Sequence, residues 1–179
     1  NEKCFDTIRR DILYTKLQIL GFPFELCKLL HFIFSNITFV IKSGNMLTEK
    51  FTSLIGLPQG DPLSPVLFSL FTYDLPSCLP HLGPFLHGIC IPYIMYADDL
   101  AIISETPEEL QAAIDALVNY CISKGLTINA DKSKCMTFYK GRPPKCSFTL
   151  DNKPLELVTN FVYLGFNFTT QLSFSKHLQ

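Results

Sequence analysis

The sequence predicts an α+β fold, an antiparallel sheet backed by helices. Two stretches, one holding Ile8, Ile12, Leu13, Leu17 and Leu20 and the other Leu110, Ala113, Ile114, Leu117 and Cys121, carry apolar residues at helical spacing. Between and after them lie short runs of β-branched and aromatic residues closed off by Gly, Pro and Asn, the pattern of short strands. With 179 residues and 47% hydrophobic content, the chain is long enough for one sizeable core.

Taken in order, the first helix is expected from Thr7 to about Leu20, where Gly21 stops it. Pro23 suits the start of a second, running to about Ser35. Ile37 to Ile41 reads as a strand, Ser43-Gly44-Asn45 as a turn, and Phe51 to Ile55 as another strand. Gly56 to Pro65 is a loop dense in Gly and Pro. The helix after it, Val66 to about Leu75, is apolar enough to need burial on most sides. Pro76 to Pro92 is expected to be irregular, and Ile94 to Ser104 to form two short strands meeting at Ala97-Asp98. Thr106-Pro107-Glu108-Glu109 is a helix start, with Thr as cap, Pro first and Glu three after the cap, and Gly125 closes that helix. Further strands are expected near Leu126 to Ile128, Cys135 to Tyr139, Ser147 to Leu150 and Phe161 to Phe168. The one linker-like stretch is Gly141-Arg142-Pro143-Pro144.

The net charge of −1 gives no global basic field that would advertise a free-standing nucleic-acid binder. Seven scattered cysteines, odd in number and without a Cys-x-x-Cys pair, argue against a disulfide framework or a zinc site and for buried thiols in a reducing compartment. No secretory signal opens the chain. The longest apolar stretch, around Phe85 to Ala97, is broken by His87, Gly88 and Pro92, so no membrane span is expected; an intracellular location, nucleus and cytoplasm, is.

Three separated elements carry chemistry. Tyr96-Ala97-Asp98-Asp99 sets two adjacent carboxylates between apolar runs. An ionised carboxylate is costly there unless compensated, and a divalent metal is the usual compensation. In Gly56-Leu57-Pro58-Gln59-Gly60-Asp61-Pro62-Leu63-Ser64-Pro65, glycines allow a ligand to approach the backbone and the Gln59 amide can hydrogen-bond a sugar or base. Gly125-Leu126-Thr127-Ile128-Asn129-Ala130-Asp131-Lys132 places a lysine shortly after a capped helix, with Lys134 close enough to be mistaken for it.

In order and spacing these elements resemble the reverse transcriptases of non-LTR (LINE-type) retrotransposons. Cys4-Phe5-Asp6 resembles the end of the first motif of the polymerase palm. Gly56 to Pro65, continuing through Leu67-Phe68 to Asp74-Leu75-Pro76, is similar to the second, Tyr96 to Asp99 to the third, Gly125 to Lys132 to the fourth, and Tyr163-Leu164-Gly165 to the fifth. The resemblance implies a palm subdomain over residues 1–168 and the start of a thumb connection over 169–179.

It also implies roles. Asp98 and Asp99 would hold two magnesium ions, with manganese as a substitute, for two-metal nucleotidyl transfer to a primer 3′-hydroxyl. Phe5 would lie under the incoming sugar and exclude a 2′-hydroxyl, while Pro58, Gln59 and Gly60 would line the nucleotide and template pocket. Lys132 would act at the leaving pyrophosphate, and Tyr163, Leu164 and Gly165 would grip the primer. The implied partners are an RNA template, a DNA primer, deoxynucleoside triphosphates, and the fingers and thumb of the same polyprotein.

One departure stands out. The family's first motif opens with a metal-binding aspartate five residues before the aromatic gate, one position before Asn1. Asp6 does not replace it, because in a strand it would face away from Phe5. The segment by itself is therefore expected to be inactive and to expose apolar patches. The alternative function is a decayed or domesticated palm that serves as a non-catalytic scaffold for RNA or protein.

Overall fold

A computed structural model describes residues 5–81 and 83–171. After a 3₁₀ turn at Phe5–Thr7 come helices α1 (Arg10–Ile19) and α2 (Phe24–Ser35), then strands β1 (Thr38–Phe39), β2 (Lys42–Ser43), β3 (Met46–Leu47) and β4 (Phe51–Thr52). Helices α3 (Leu63–Phe71) and α4 (Leu75–Cys78) precede β5 (Phe85–Leu86), β6 (Ile89–Cys90), β7 (Tyr93–Tyr96) and β8 (Asp99–Ile102). The long helix α5 (Pro107–Lys124) leads to β9 (Lys134–Cys135), β10 (Thr149–Leu150), β11 (Lys153–Pro154), β12 (Glu156–Leu157), β13 (Asn160–Tyr163) and β14 (Phe166–Thr169).

The mixed class is as expected, but the single antiparallel sheet is not found. Among the described residues the strands form separate two-stranded ladders, and one of them, β9 with β12, is parallel. The runs are cut short because their backbone groups go elsewhere. The expected strand Ile37 to Ile41 stops at Phe39, since the Ile41 amide donates to the Thr48 hydroxyl at 3.0 Å and its carbonyl accepts from the Thr48 amide at 3.0 Å. The expected strand at Leu126 to Ile128 is absent because the Leu126 and Gly125 amides close the end of α5, donating to Cys121 O at 2.8 Å and Ile122 O at 3.2 Å. That pattern, with Gly125 at φ +69°, satisfies two carbonyls the helix would otherwise leave bare. Gly21 ends α1 in the same way. At the other end of α5 the Glu109 amide donates to Thr106 Oγ1 and the Thr106 amide to Glu109 Oε2, both at 3.3 Å, the reciprocal cap read from the sequence.

The chain divides into two compact units. The first comprises the described residues of Asn1–Cys78, Met95–Leu100 and Tyr120–Thr127. Its core joins Ile8, Leu13 and Leu17 to Cys27, Leu30 and Phe34 of α2 and to Leu67, Phe68 and Phe71 of α3. Helix α3 begins three residues before the expected start and buries one face only: Leu67, Phe68 and Phe71 are inside, whereas Val66 keeps 56% exposure. Phe24, Phe32, Met46, Leu47 and Leu54 are likewise exposed.

Two cations are buried in this unit. The Arg10 guanidinium donates to the carbonyls of Gly56 (2.7 Å), Phe34 (2.9 Å) and Ser53 (2.8 Å), and stacks 5.6 Å above the Phe34 ring. Lys16 donates to Asp74 Oδ1 at 2.5 Å and to the Phe71 carbonyl. Asp74 also accepts from Tyr120 Oη at 2.6 Å and pairs with Lys124 at 3.2 Å, which ties α1, the end of α3 and the last turn of α5 together.

The second unit comprises the described residues of Leu79–Ile94, Ala101–Asn119 and Ile128–Gln179. Residues 172–179, where most of the expected thumb connection falls, lie outside the described residues. Ile114, Cys135, Phe148 and Leu150 form its core. The Gln111 side chain hooks α5 onto β10, accepting from the Thr149 amide and donating to its carbonyl, both at 2.9 Å. In the parallel pair Lys134 lies opposite Glu156, and the two side chains form an ion pair at 2.8 Å. Cys27, Cys78, Cys90, Cys135 and Cys146 are thiols. Among the described residues no helix is long and apolar enough to cross a membrane.

Burial pushes the Asp74 carboxyl up, but hydrogen bonds from Lys16, Tyr120 and Lys124 outweigh it and hold the group below its ordinary value. A depressed folded-state value adds stability above the unfolded carboxylate pKa, about 3.9, and that contribution is lost as pH falls through the folded value. Asp74→Asn is therefore expected to cost about 3 kcal/mol at pH 7, the low end for breaking a buried pair, since the Asp74 side chain keeps 25% exposure. The penalty should shrink between pH 5 and about 3, measured by urea unfolding at each pH.

Candidate active site

The loop from Gly56 to Pro65 is held from three sides. The Gly56 amide donates to Ile8 O at 2.8 Å and the Leu57 amide to Phe5 O at 2.7 Å, so the loop is laced to the segment that carries Phe5. These bonds use the backbone that a longer first helix would have needed, which is why α1 starts at Arg10 rather than Thr7. Gly56 sits at φ +84°, and a Cβ there would fall 2.8 Å from the Asp6 carbonyl oxygen. The third tie is Ser64, 2% exposed, whose hydroxyl donates to Pro58 O at 2.7 Å from the first turn of α3. Phe5 packs its ring on Phe68 at 4.9 Å.

The strand in which Asp6 would face away from Phe5 is not formed, although Asp6 is not among the residues that line the cleft described below. Phe5–Thr7 is a 3₁₀ turn rather than a strand, so neighbouring side chains do not alternate by 180°. Gln59 Nε2 donates to Asp6 Oδ1 at 3.4 Å. Cys4, which opens the stretch that resembles the end of the first motif, lies outside the described residues.

Strands β7 and β8 form a hairpin whose two-residue tip is Ala97-Asp98, as read from the sequence. Ala97 has φ +51°, a conformation that hairpin tips usually give to Gly or Asn. The apolar flanks do not bury the carboxylates: Asp98 is half-buried and Asp99 exposed, because so tight a turn projects its tip out of the ladder. Asp98 lines an open cleft of about 560 Å³ together with Phe5, Pro58, Gln59, Gly60, Asp61 and Ser64. Four of the expected site residues thus meet the expected metal ligand in one cleft, all within the first unit.

The remaining candidates belong to the second unit. Lys132 is exposed, and its backbone amide donates to Asn129 Oδ1 at 3.1 Å. Lys134 is engaged: its ammonium donates to Asp131 O at 2.6 Å and pairs with Glu156. Tyr163 donates from Oη to Ile94 O at 3.4 Å, and Leu164-Gly165 form the tip of the β13–β14 hairpin at φ +48° and +82°.

Carboxylate oxygens suit a hard cation such as Mg²⁺, which keeps several waters and shares its shell with substrate phosphates, so one or two protein carboxylates fit it. Among the described residues no group of three His, Cys, Asp or Glu side chains is assembled to hold a metal by itself. Asp98, which lines the cleft, fits as part of such a shell, whereas Asp99 is exposed and is not among the lining residues. Asp61, Ser64 and Arg10 were not singled out from the sequence. The first two lie inside the quoted loop, where composition gives no hint of which side chain lines the cleft. Nothing in the sequence marks Arg10 apart from any surface arginine.

The sequence profile of the family described as "Reverse transcriptase (RNA-dependent DNA polymerase)" matches residues 1–168. The "Retrovirus-related Pol polyprotein from type-2 retrotransposable element R2DM" of Drosophila melanogaster is 31% identical over 179 residues, covering 93% of this chain and 17% of the relative. A "Retrovirus-related Pol polyprotein from type-1 retrotransposable element R2" of Popillia japonica is 30% identical over 182 residues, covering 94% and 30%. The "RNA-directed DNA polymerase from mobile element jockey" of Drosophila funebris is 30% identical over 129 residues, covering 69% and 14%. The chain spans less than a third of the length of each of these relatives.

Gly56→Ala is expected to destabilise the first unit by more than the about 1 kcal/mol that positive φ alone costs an alanine, because the added methyl meets backbone it cannot displace. Gly44→Ala, also at positive φ but with nothing within 4 Å of its Cβ, is the control. Equal losses for the two in urea unfolding would remove the steric role given to Gly56.

Proposed function

The chain belongs to the reverse transcriptase family, and from that premise we propose that it supplies the nucleotidyl-transfer centre of an RNA-directed DNA polymerase, extending a DNA primer on an RNA template. The observation that carries this reading is the cleft. Three stretches far apart in sequence bring Phe5, Pro58, Gln59 and Gly60 to the same cavity as Asp98. In this reading the whole forms a polymerase palm.

Asp98 and Asp99 would hold a divalent ion, which when bound would supply charge neutralisation at the transferring phosphoryl group and activation of the primer 3′-hydroxyl. The chain's own residues do the positioning. Phe5, backed by Phe68, gives the sugar a flat apolar wall that leaves no hydrogen-bond partner for a 2′-hydroxyl, which favours deoxynucleoside triphosphates. Gln59, on a loop fixed by Gly56 and Ser64, offers amide donors and an acceptor to the nucleotide or template. Tyr163, Leu164 and Gly165 form the primer grip in this reading, and Lys132 donates a proton or charge to the departing pyrophosphate. The exposed Phe24, Phe32, Met46 and Leu47 are faces on which the fingers and thumb of a polyprotein of the relatives' size pack.

Asp98→Asn in the intact gene product is expected to lower primer extension by several orders of magnitude with its unfolding midpoint unchanged, because metal ligation of the transition state is worth several kcal/mol. Near-normal extension by that variant would falsify the assignment. The two lysines separate by different readouts. Lys132→Gln should lower kcat and leave stability alone, whereas Lys134→Gln should loosen the β9–β12 pair, by about 1 kcal/mol given the exposed Glu156, and leave kcat alone. Single-turnover extension and thermal unfolding of both variants decide it.

A further inference from the structure

The chain as a whole carries −1, yet its charge is unevenly placed. From Lys132 to Leu150 there are five basic residues, Lys132, Lys134, Lys140, Arg142 and Lys145, and no acidic one. Three of the five sit in the loop that joins β9 to β10, Lys140-Gly141-Arg142-Pro143-Pro144-Lys145, and all three are exposed. Among the described residues none of these three forms an ion pair, in contrast to Lys16, Lys124 and Lys134, which do.

The loop is anchored at both ends on the second unit. The Tyr139 amide donates to Thr170 O at 3.4 Å just before Lys140. Cys146, just after Lys145, packs against the core cluster that contains Phe148. Its middle is stiff as well: both prolines fix φ, and Arg142 and Pro143, each preceding a proline, are pushed to extended backbone. In such a polyproline-like stretch residues three apart lie on one side, roughly 9 Å from each other, which is the relation of Arg142 to Lys145. Immediately ahead stands Phe138, a large aromatic left 51% exposed.

We propose that Phe138 and the basic loop form a platform for single-stranded RNA. Phosphates engage Lys140, Arg142 and Lys145, and an unpaired base stacks on the Phe138 ring. Cations interleaved with an exposed aromatic are the chemistry of sequence-tolerant single-strand binding. The exposed ring is what favours a single strand over a duplex, whose stacked bases offer it no face. A lysine–arginine loop alone would be a solvated surface; a backbone restrained by two prolines, shortly after an exposed aromatic residue in the chain, presents its cations at lower entropic cost. The proposal rests on the polymerase reading only for choosing RNA as the strand.

The test uses the intact gene product with an unstructured RNA oligonucleotide and an RNA duplex of equal length, titrated across salt. The triple variant Lys140→Gln, Arg142→Gln, Lys145→Gln should weaken single-strand binding roughly tenfold or more, and flatten the log–log salt slope by about 2, the yield of three phosphate contacts at ~0.7 each. Phe138→Ala should weaken it at least about fivefold and leave the salt slope unchanged, which keeps the idea testable should the triple variant fold poorly. Unchanged affinity and slope, or equal weakening toward the duplex, would overturn the proposal. Primer extension at saturating template should stay normal in both variants, so failure here is distinct from failure at Asp98.

Discussion

The first unit is organised around one buried guanidinium. Arg10 is 6% exposed and receives three backbone carbonyls rather than a carboxylate. Removing a guanidinium from water is costly, and here carbonyl dipoles and the face of the Phe34 ring offset that cost. Burial pushes its pKa down from a value so high that the group remains charged, so its donors stay in place across the ordinary pH range. Each acceptor would otherwise be a problem of its own. Phe34 O is among the last carbonyls of α2, which have no partner within the helix, and Ser53 O and Gly56 O belong to a loop with no ladder to join. One side chain therefore ends a helix and fixes the start of the candidate nucleotide loop.

That economy explains why the cleft forms where it does. The Gly56 loop and the Phe5 segment have no strand between them; they are joined by two backbone hydrogen bonds and a glycine that permits contact with the Asp6 carbonyl. Ser64 adds the last tie from α3. The opposite lip comes from a hairpin tip where Ala97 stands in place of Gly. A non-glycine residue at positive φ is held there by its surroundings, and such strain gathers where a side chain has to be aimed rather than where the backbone would relax by itself. Here it aims the neighbouring Asp98 into the cleft.

The local signals were legible. The Thr106–Glu109 cap, the Gly21 and Gly125 stops and the Ala97-Asp98 turn stand where sequence chemistry puts them, since each depends only on residues within a turn of one another. Phe5, Gln59, Gly60 and Asp98 line one cleft, a grouping that only the family resemblance implied and no local pattern carries. What was not legible depends on distant partners. No pattern announces that the Ile41 amide prefers the Thr48 hydroxyl to a strand neighbour, or that the Leu126 amide is spent on a helix end. The one-sided burial of α3 escaped for a related reason: composition reports how apolar a helix is, not how many neighbours cover it.

Asp74 shows where a motif reading and a physical reading part. It stands inside the long stretch that resembles the family's second motif, and by position alone it invites a chemical role. Its carboxylate is instead occupied by Lys16, Lys124 and the Tyr120 hydroxyl, three donors from two helices. Burial and the neighbouring Asp74 both raise the Tyr120 hydroxyl's pKa, so it remains a donor. A buried cation–anion pair adds little net stability over an apolar pair of equal volume, but losing one member strands the other. A residue can therefore stand inside a motif and be silent in chemistry: Asp74 keeps the ends of α1, α3 and α5 in register, whereas Asp61 and Asp98 are the carboxylates from that reading that line the cleft beside Phe5 and Gln59.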